Sequence, residues 1–431
     1  MLTRFNSKKR SLSAFKESIS ATKPRTILCT VAVIIYSVTG YLRLKAPTSV
    51  FVSHNNYLPN TNSYLSWSFA HTNYSDILAL YISHHLYSHM FPYLHFAIEY
   101  PVLLGLFMYT SALFGGIQTY FVISTVALSL CCLATYLILE KITPKYAWIF
   151  AVNPLLYSYE FLNWDLLAIF FMIVAYYFYI RKYYILSGIF FALGTFTKFF
   201  PVILFIFICL GLFFKKDRNS LFKNLGSFGI ATLIINLPFM ILNISNWWYF
   251  YYYNIFRKGK YSILYVFFPR SKFPVITDTF AILVTLAALI VGIYLLKRKY
   301  PVIQTASMVF VIFLTANKVF SPQYMLWIFI FVLLASWPKW TFILIGTAGI
   351  VDYYNSWTLL HFETPDYPHQ MLTTTQLSTL NWYSTTIYPL GLDLRYITLM
   401  ILIIAGVSLI AKSTLNNDRA GNRISDKTQN L

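Results

Sequence analysis

Apolar runs of 13 to 23 residues follow one another along almost the whole chain, separated by short turns that carry Lys and Arg. Water cannot solvate such runs; lipid or the interior of a helical bundle can. Charged residues make up 11% of the sequence, less than half the roughly 25% a soluble protein needs for its surface. The pattern predicts an all-α polytopic membrane protein. Twelve runs are the expected membrane segments: Ile27–Leu42, Ile117–Leu139, Ala147–Phe161, Leu166–Ile180, Ile185–Thr197, Val202–Phe214, Leu225–Leu242, Ile276–Leu296, Val302–Ala316, Tyr324–Trp337, Thr341–Tyr354 and Ile397–Lys412. Several fall short of the ~20 residues a full span takes. Those must tilt, extend into flanking Tyr and Trp, or bury themselves among neighbours.

Alternating the twelve from a cytoplasmic N-terminus places 23 of the 33 Lys and Arg residues on the cytoplasmic side, the bias that orients membrane proteins. The same alternation puts nine of the fourteen acids on or near the opposite side: Asp76, Glu99, Glu160, Asp165, Asp278, Asp352, Glu363, Asp366 and Asp393. Acids contribute little to topology, so their clustering points to a site. The expected organisation is a basic cytoplasmic leader over 1–26, a membrane-embedded region over 27–412 and a polar cytoplasmic tail over 413–431. Two outer loops are long, 43–116 and 355–395, and rich in Tyr, Trp, His and Pro. Within the first, Pro101–Phe114 is apolar, but a span there would invert every later loop charge. An interfacial or re-entrant helix is expected instead.

A formal charge of +19 would suggest nucleic acid in a soluble protein. Here no basic soluble domain carries it, and Lys and Arg on membrane loops contact anionic headgroups. The expected partners include membrane lipids and no nucleic acid. Cys29, Cys131, Cys132 and Cys209 all lie in apolar runs, without zinc-site spacing or the paired loop cysteines of a disulfide framework. The first apolar run lacks a small-residue cleavage site and reads as a retained helix.

Four constellations carry candidate chemistry. The first is Tyr74-Ser75-Asp76-Ile77, then His84, His85 and His89, then Glu99-Tyr100-Pro101-Val102. Asp76 either caps the helix that Ile77-Leu78-Ala79-Leu80 would begin, or serves a site. In a site it is a general base with raised proton affinity, an acceptor-orienting group or a cation ligand. The histidines are either metal ligands or hydrogen-bonding filler. The second constellation is Asn163-Trp164-Asp165, where the acid either answers a helix dipole or belongs to a site at the membrane edge. The third is Thr197-Lys198-Phe199-Phe200-Pro201. An ammonium at this hinge takes a phosphate or carboxylate partner, or snorkels to the headgroups. The fourth is basic and outer: Arg257-Lys258-Gly259-Lys260, and Asn317-Lys318-Val319-Phe320-Ser321-Pro322-Gln323-Tyr324. Either a phosphorylated lipid ligand or anionic headgroups would account for it.

Taken in order, Tyr-Ser-Asp-Ile, Glu-Tyr-Pro-Val-Leu, Asn-Trp-Asp-Leu-Leu-Ala, Gly-x-x-Thr-Lys-x-x-Pro and Lys-Val-x-Ser-Pro-Gln-Tyr lie within a matching stretch from Tyr74 to Trp337. The series resembles glycosyltransferase family 87, the polyprenol-phosphate-mannose-dependent mannosyltransferases and relatives of the GT-C superfamily. The resemblance implies a helical bundle that moves a hexose, mannose foremost, from a polyprenyl-phosphate donor to a glycan or glycolipid acceptor. Transfer would occur with inversion, on the extracytoplasmic face of the cell membrane. Asp76 matches the acid that acts as base on the acceptor hydroxyl, and Glu99 would be a second acid of the site. Lys198 and Lys318 match positions able to bind the lipid phosphate; Asp165, Arg257, Lys258 and Gln323 complete the candidate substrate-binding set. A single Asp stands where the superfamily pattern has Asp-x-Asp or Asp-Glu. No metal-ligand set and no required cofactor are therefore expected, though a divalent cation stays open.

The alternative class is a lipid-linked glycan transporter, flippase or polymerase-like membrane protein. Transporters often show repeated halves and charges near the midplane. This sequence shows no evident repeat, and its acids gather at one edge.

Overall fold

The computed structural model describes residues 24–53, 56–59, 61–257, 263, 274–363, 378–379 and 381–429. Helices dominate; one short antiparallel pair, β1 (Val52–Ser53) with β2 (Asn56–Pro59), is the only sheet among the described residues. The chain opens with α1 (Pro24–Leu44), followed by three shorter helices, α2 (Thr61–Ala70), α3 (Asp76–Ser83) and α4 (Val102–Ala112). Then come α5 (Ile117–Ile142), the small α6 (Ala147–Ala151) and α7 (Leu155–Tyr159), α8 (Asp165–Ile180), α9 (Tyr184–Thr197) and α10 (Pro201–Phe214). The second half holds α11 (Arg218–Leu242), α12 (Ile244–Phe256), α13 (Pro274–Lys297), α14 (Val302–Ala316), α15 (Tyr324–Leu334), α16 (Lys339–Glu363) and α17 (Tyr388–Gln429).

Five helical stretches are long and apolar enough to cross a membrane: Pro24–Leu44, Ile117–Ile142, Arg218–Leu242, Asp278–Lys297 and Tyr383–Ala411. Their exposed faces carry Ile, Leu and Val rather than charge, as lipid requires. The protein is an all-α, multi-pass membrane protein.

Eleven of the twelve apolar runs map onto one helix each. The exception, Ala147–Phe161, is split into α6 and α7. Pro154 cannot donate to the preceding turn, and the Asn153 side chain starts α7 by accepting from the Leu155 N–H at 2.9 Å. The apolar stretch of the first loop forms α4, whose 11 residues reach about 16 Å, half the ~30 Å hydrocarbon thickness. It does not cross. The described residues of the second long loop are helical: α16 runs to Glu363, and residues 381–395 are helical too. Polar residues hid that helix from an apolar search, because Asp352 and Arg395 satisfy one another inside the protein. The leader lies mostly outside the described residues, and α17 stays helical past Lys412 to Gln429.

Four helices end in the same way. After α8, α10, α13 and α15, a residue with positive φ (Lys182 at 64°, Lys216 at 59°, Lys299 at 64°, Ser336 at 55°) is followed by an N–H bonded to the carbonyl five residues back. These bonds are Tyr183 to Phe178, Asp217 to Leu212, Tyr300 to Leu295 and Trp337 to Val332. This is the Schellman stop, normally built on glycine. A lysine in the left-handed region costs about 1–2 kcal/mol, offset in part by cationic charge at a helix C-terminus.

Contacts among the turns gather them at one basic end of the bundle. Arg25 meets Glu140 and the Pro144 carbonyl, Lys339 lies over Trp148, Lys297 over Phe214, and the Tyr300 hydroxyl donates to the Ile410 carbonyl. The starts of α3, α8, α10 and α15 meet at the opposite, acid-bearing end.

Candidate active site

Ser75, not Asp76, caps α3. Its hydroxyl accepts from the Ile77 N–H at 3.3 Å and donates to the Phe161 carbonyl at 2.6 Å. The Asp76 N–H bonds the Leu162 carbonyl at 2.8 Å, and the Tyr64 hydroxyl accepts the Ser75 N–H at 2.9 Å. The capping alternative for Asp76 is thereby corrected: one residue of offset hands the cap to serine and leaves the carboxylate outside the cap. Four hydrogen bonds fix the backbone beneath it.

The carboxylate is held on both oxygens. Tyr74 OH donates to Oδ1 at 2.7 Å and Asn163 Nδ2 to Oδ2 at 2.7 Å. Asn163 Nδ2 also reaches the Tyr100 hydroxyl at 3.1 Å. The Tyr74 ring packs on Trp357 of α16, centroids 4.6 Å apart. Burial pushes the Asp76 carboxyl up; the bonds from Tyr74 and Asn163 and the Lys198 charge oppose this, yet it stays above its ordinary value. Burial and the Asp76 charge hold Tyr74 protonated, so it remains a donor.

Behind this carboxylate lies a second acid that is paired. Asp165 Oδ1 takes the Lys198 ammonium at 2.7 Å and the Trp327 indole N–H at 2.9 Å; its Oδ2 has no hydrogen-bond partner among the described residues. Asp165 is fully buried and Lys198 nearly so. The ammonium also sits over the rings of Tyr100 and Trp327, at 5.6 and 5.7 Å. The carboxylate partner open to Lys198 in the sequence is thus Asp165, 33 positions upstream.

Glu99 pairs with His84 at 3.0 Å. Burial pushes its carboxyl up, but the His84 hydrogen bond and charge, with Arg257 further off, bring it below the ordinary value. His85 Nδ1 meets the Tyr87 hydroxyl at 2.6 Å. Of the three histidines His84 alone pairs with an acid among the described residues, and no group of three metal-ligating side chains exists among them.

The remaining candidates divide. Lys318 pairs with Asp278 at 3.4 Å and bonds the Ile255 carbonyl at 2.5 Å, closing the end of α12. Gln323 is buried at the start of α15. Arg257 ends α12 beside Tyr253 and acts electrostatically on Glu99 and Tyr324. Lys258 lies outside the described residues. Trp327 and Trp357 were not legible as site residues, since an aromatic content of 19% offers no contrast. Tyr74, Tyr100 and Asn163 stand within the first two constellations.

Such a bundle, with a polar, carboxylate-bearing face at one end, has the build of a membrane-embedded enzyme. Residues 98–322 match the sequence model of glycosyltransferase family 87. The match covers a little over half the chain, and the chain belongs to that family: it is a membrane glycosyltransferase. Glu99, Asp165, Lys198, Arg257 and Lys318 fall inside the matched region, and Asp76 precedes it. No curated protein matches the chain.

Proposed function

We propose that this enzyme transfers a hexose, mannose foremost, from a polyprenyl-phosphate donor to a glycan or glycolipid acceptor, with inversion. The observation that carries this reading is Asp76: a carboxylate released from capping, fixed on both oxygens and lifted in proton affinity. As the acceptor oxygen attacks the anomeric carbon, Asp76 takes its proton. The bond from that carbon to the phosphate oxygen breaks, and polyprenyl phosphate departs with the electron pair. The Lys198 charge favours ionised Asp76, and the Asp165 charge beside it opposes that. No cofactor takes part in this reading; a divalent cation would act only on the departing phosphate. The positive-inside rule puts the basic end in the cytoplasm and Asp76 outside the cell membrane, with the twelve runs as the membrane segments.

The test is transfer by the purified protein in nanodiscs, with polyprenyl-phosphate hexoses and nucleotide sugars offered separately. Product from the lipid donor with inverted anomeric configuration is expected; product from nucleotide sugar alone would overturn the reading.

A base must be unprotonated, so activity rises with pH through the Asp76 pKa. Because that pKa is raised, the acidic limb lies at higher pH than for an aspartate in water. Tyr74→Phe removes a donor to the ionised form. A hydrogen bond to a charged group is worth about 1.5–3 kcal/mol, so the limb moves roughly 1–2 units higher in pH. An unmoved limb in the pH–rate profile would detach Tyr74 from the base.

A further inference from the structure

Most cations at the acid end are already engaged. Among the described residues, Lys198 pairs with Asp165, Lys318 with Asp278 and Arg395 with Asp352. Arg43 donates to the Tyr353 hydroxyl and the Tyr157 carbonyl. Lys45 sits against α5, in a cleft of about 400 Å³ with Gln118 and Thr119. Arg257 has no ion-pair partner among the described residues; its guanidinium rests on the Tyr253 ring at 5.3 Å.

The helix that carries it is two-faced. Tyr249, Tyr253 and Arg257 recur every four residues and share one side of α12, part-buried, with the two rings 6.0 Å apart. Ile244, Trp248, Tyr252 and Phe256 are exposed. The helix is pinned at both ends. Asn243 and Asn246 both donate to the Leu94 carbonyl, at 3.1 and 3.2 Å, and Lys318 holds the Ile255 carbonyl. The part-buried side lies within electrostatic reach of Glu99: the Glu99 charge bears on Tyr249, and Arg257 bears on Glu99 and on Tyr324. Tyr324 stacks on Trp327, centroids 4.1 Å apart, the same indole that bonds Asp165.

We propose that the Tyr249–Tyr253–Arg257 stripe is the headgroup subsite for the lipid-linked sugar donor. This rests on the donor class proposed above. Arg257 takes the phosphate through charge-assisted hydrogen bonds, and the two tyrosines stack on an apolar face of the sugar. The exposed side of α12 lies along the isoprenoid in lipid. A ligand held this way is amphipathic, with its anionic joint at the end of the helix and its sugar against the stripe, beside Glu99.

The experiment measures binding of two lipids, polyprenyl phosphate and polyprenyl-phosphate mannose, by native mass spectrometry of detergent-purified protein. Arg257→Gln is expected to lose at least tenfold in affinity for both, and Arg257→Lys only a few-fold. Tyr249→Leu with Tyr253→Leu is expected to weaken the sugar-bearing lipid alone, leaving polyprenyl phosphate bound as before. Thermal unfolding shows that each variant is folded. Wild-type affinity in Arg257→Gln, with both lipids bound by the wild type, sinks the subsite and spares the donor class. Failure of the wild type to bind either lipid sinks both.

Discussion

Asp76→Asn is expected to lower turnover by about a thousandfold, within the 10²–10⁴ that a general base contributes, while donor affinity and folding stay near wild type. The amide has the size of the carboxylate and keeps an acceptor for Tyr74, but it cannot take a proton. Nothing in the backbone beneath it depends on the charge, because Ser75 caps α3 and the Leu162 carbonyl receives the Asp76 N–H. The measurement is initial rate against donor concentration, with thermal unfolding in parallel. Near-normal turnover would remove Asp76 as the base. A loss of folding instead would mean that its two hydrogen bonds, to Tyr74 and Asn163, chiefly hold the first outer loop onto α8.

The largest effect on stability is expected at the other end of the sequence. Arg395 Nη1 bonds both oxygens of Asp352, at 2.9 and 3.0 Å, with both side chains fully buried. The guanidinium also stacks on Phe320 at 4.4 Å, so one side chain ties α17 to α16 and to the turn before α15. Arg395→Met leaves a buried carboxylate without its counter-charge and should destabilise by about 3–5 kcal/mol. Replacing both partners, Asp352→Leu with Arg395→Met, should restore most of that, since two apolar groups need no solvation. Thermal unfolding of the three proteins in one detergent compares them. Equal destabilisation of single and double variants would show that packing against Phe320, rather than charge, is what the arginine supplies.

How legible this was in the sequence varied with the range of the interaction. Helices came through because apolar periodicity is local: eleven runs map onto single helices. The break in Ala147–Phe161 was also written locally, in Asn153-Pro154, but a hydropathy reading passes over it. The acids of the site were visible as residues and not as pairs. Sequence left Lys198 a choice of phosphate, carboxylate or headgroup, and only the packing of α8 against α9 and α10 selects Asp165. Asp352 and Arg395 read as two outer-edge charges, one of them in a loop, because a buried ion pair looks polar until its halves are brought together. The cap on α3 failed by a single position: Ser75 and Asp76 are both good capping residues, and the bonds to Phe161 and Leu162 decide between them. Trp357 gave no signal, since tryptophan near an interface is ordinary in a membrane protein.

The short helices around the site have a consequence for the lipid itself. α9 and α10 have 14 residues each, about 21 Å of length, against a hydrocarbon layer of ~30 Å. Both carry lipid-facing residues, Ile185 and Leu186 on one, Ile206 and Phe213 on the other. A leaflet meeting so short a wall must thin or dimple to match it. The headgroup plane then sinks toward Lys198 and Asp165. For the lipid-linked donor proposed above, the mismatch would bring the surface of the bilayer down to the depth of the reaction, with no need to lift the donor out of the lipid.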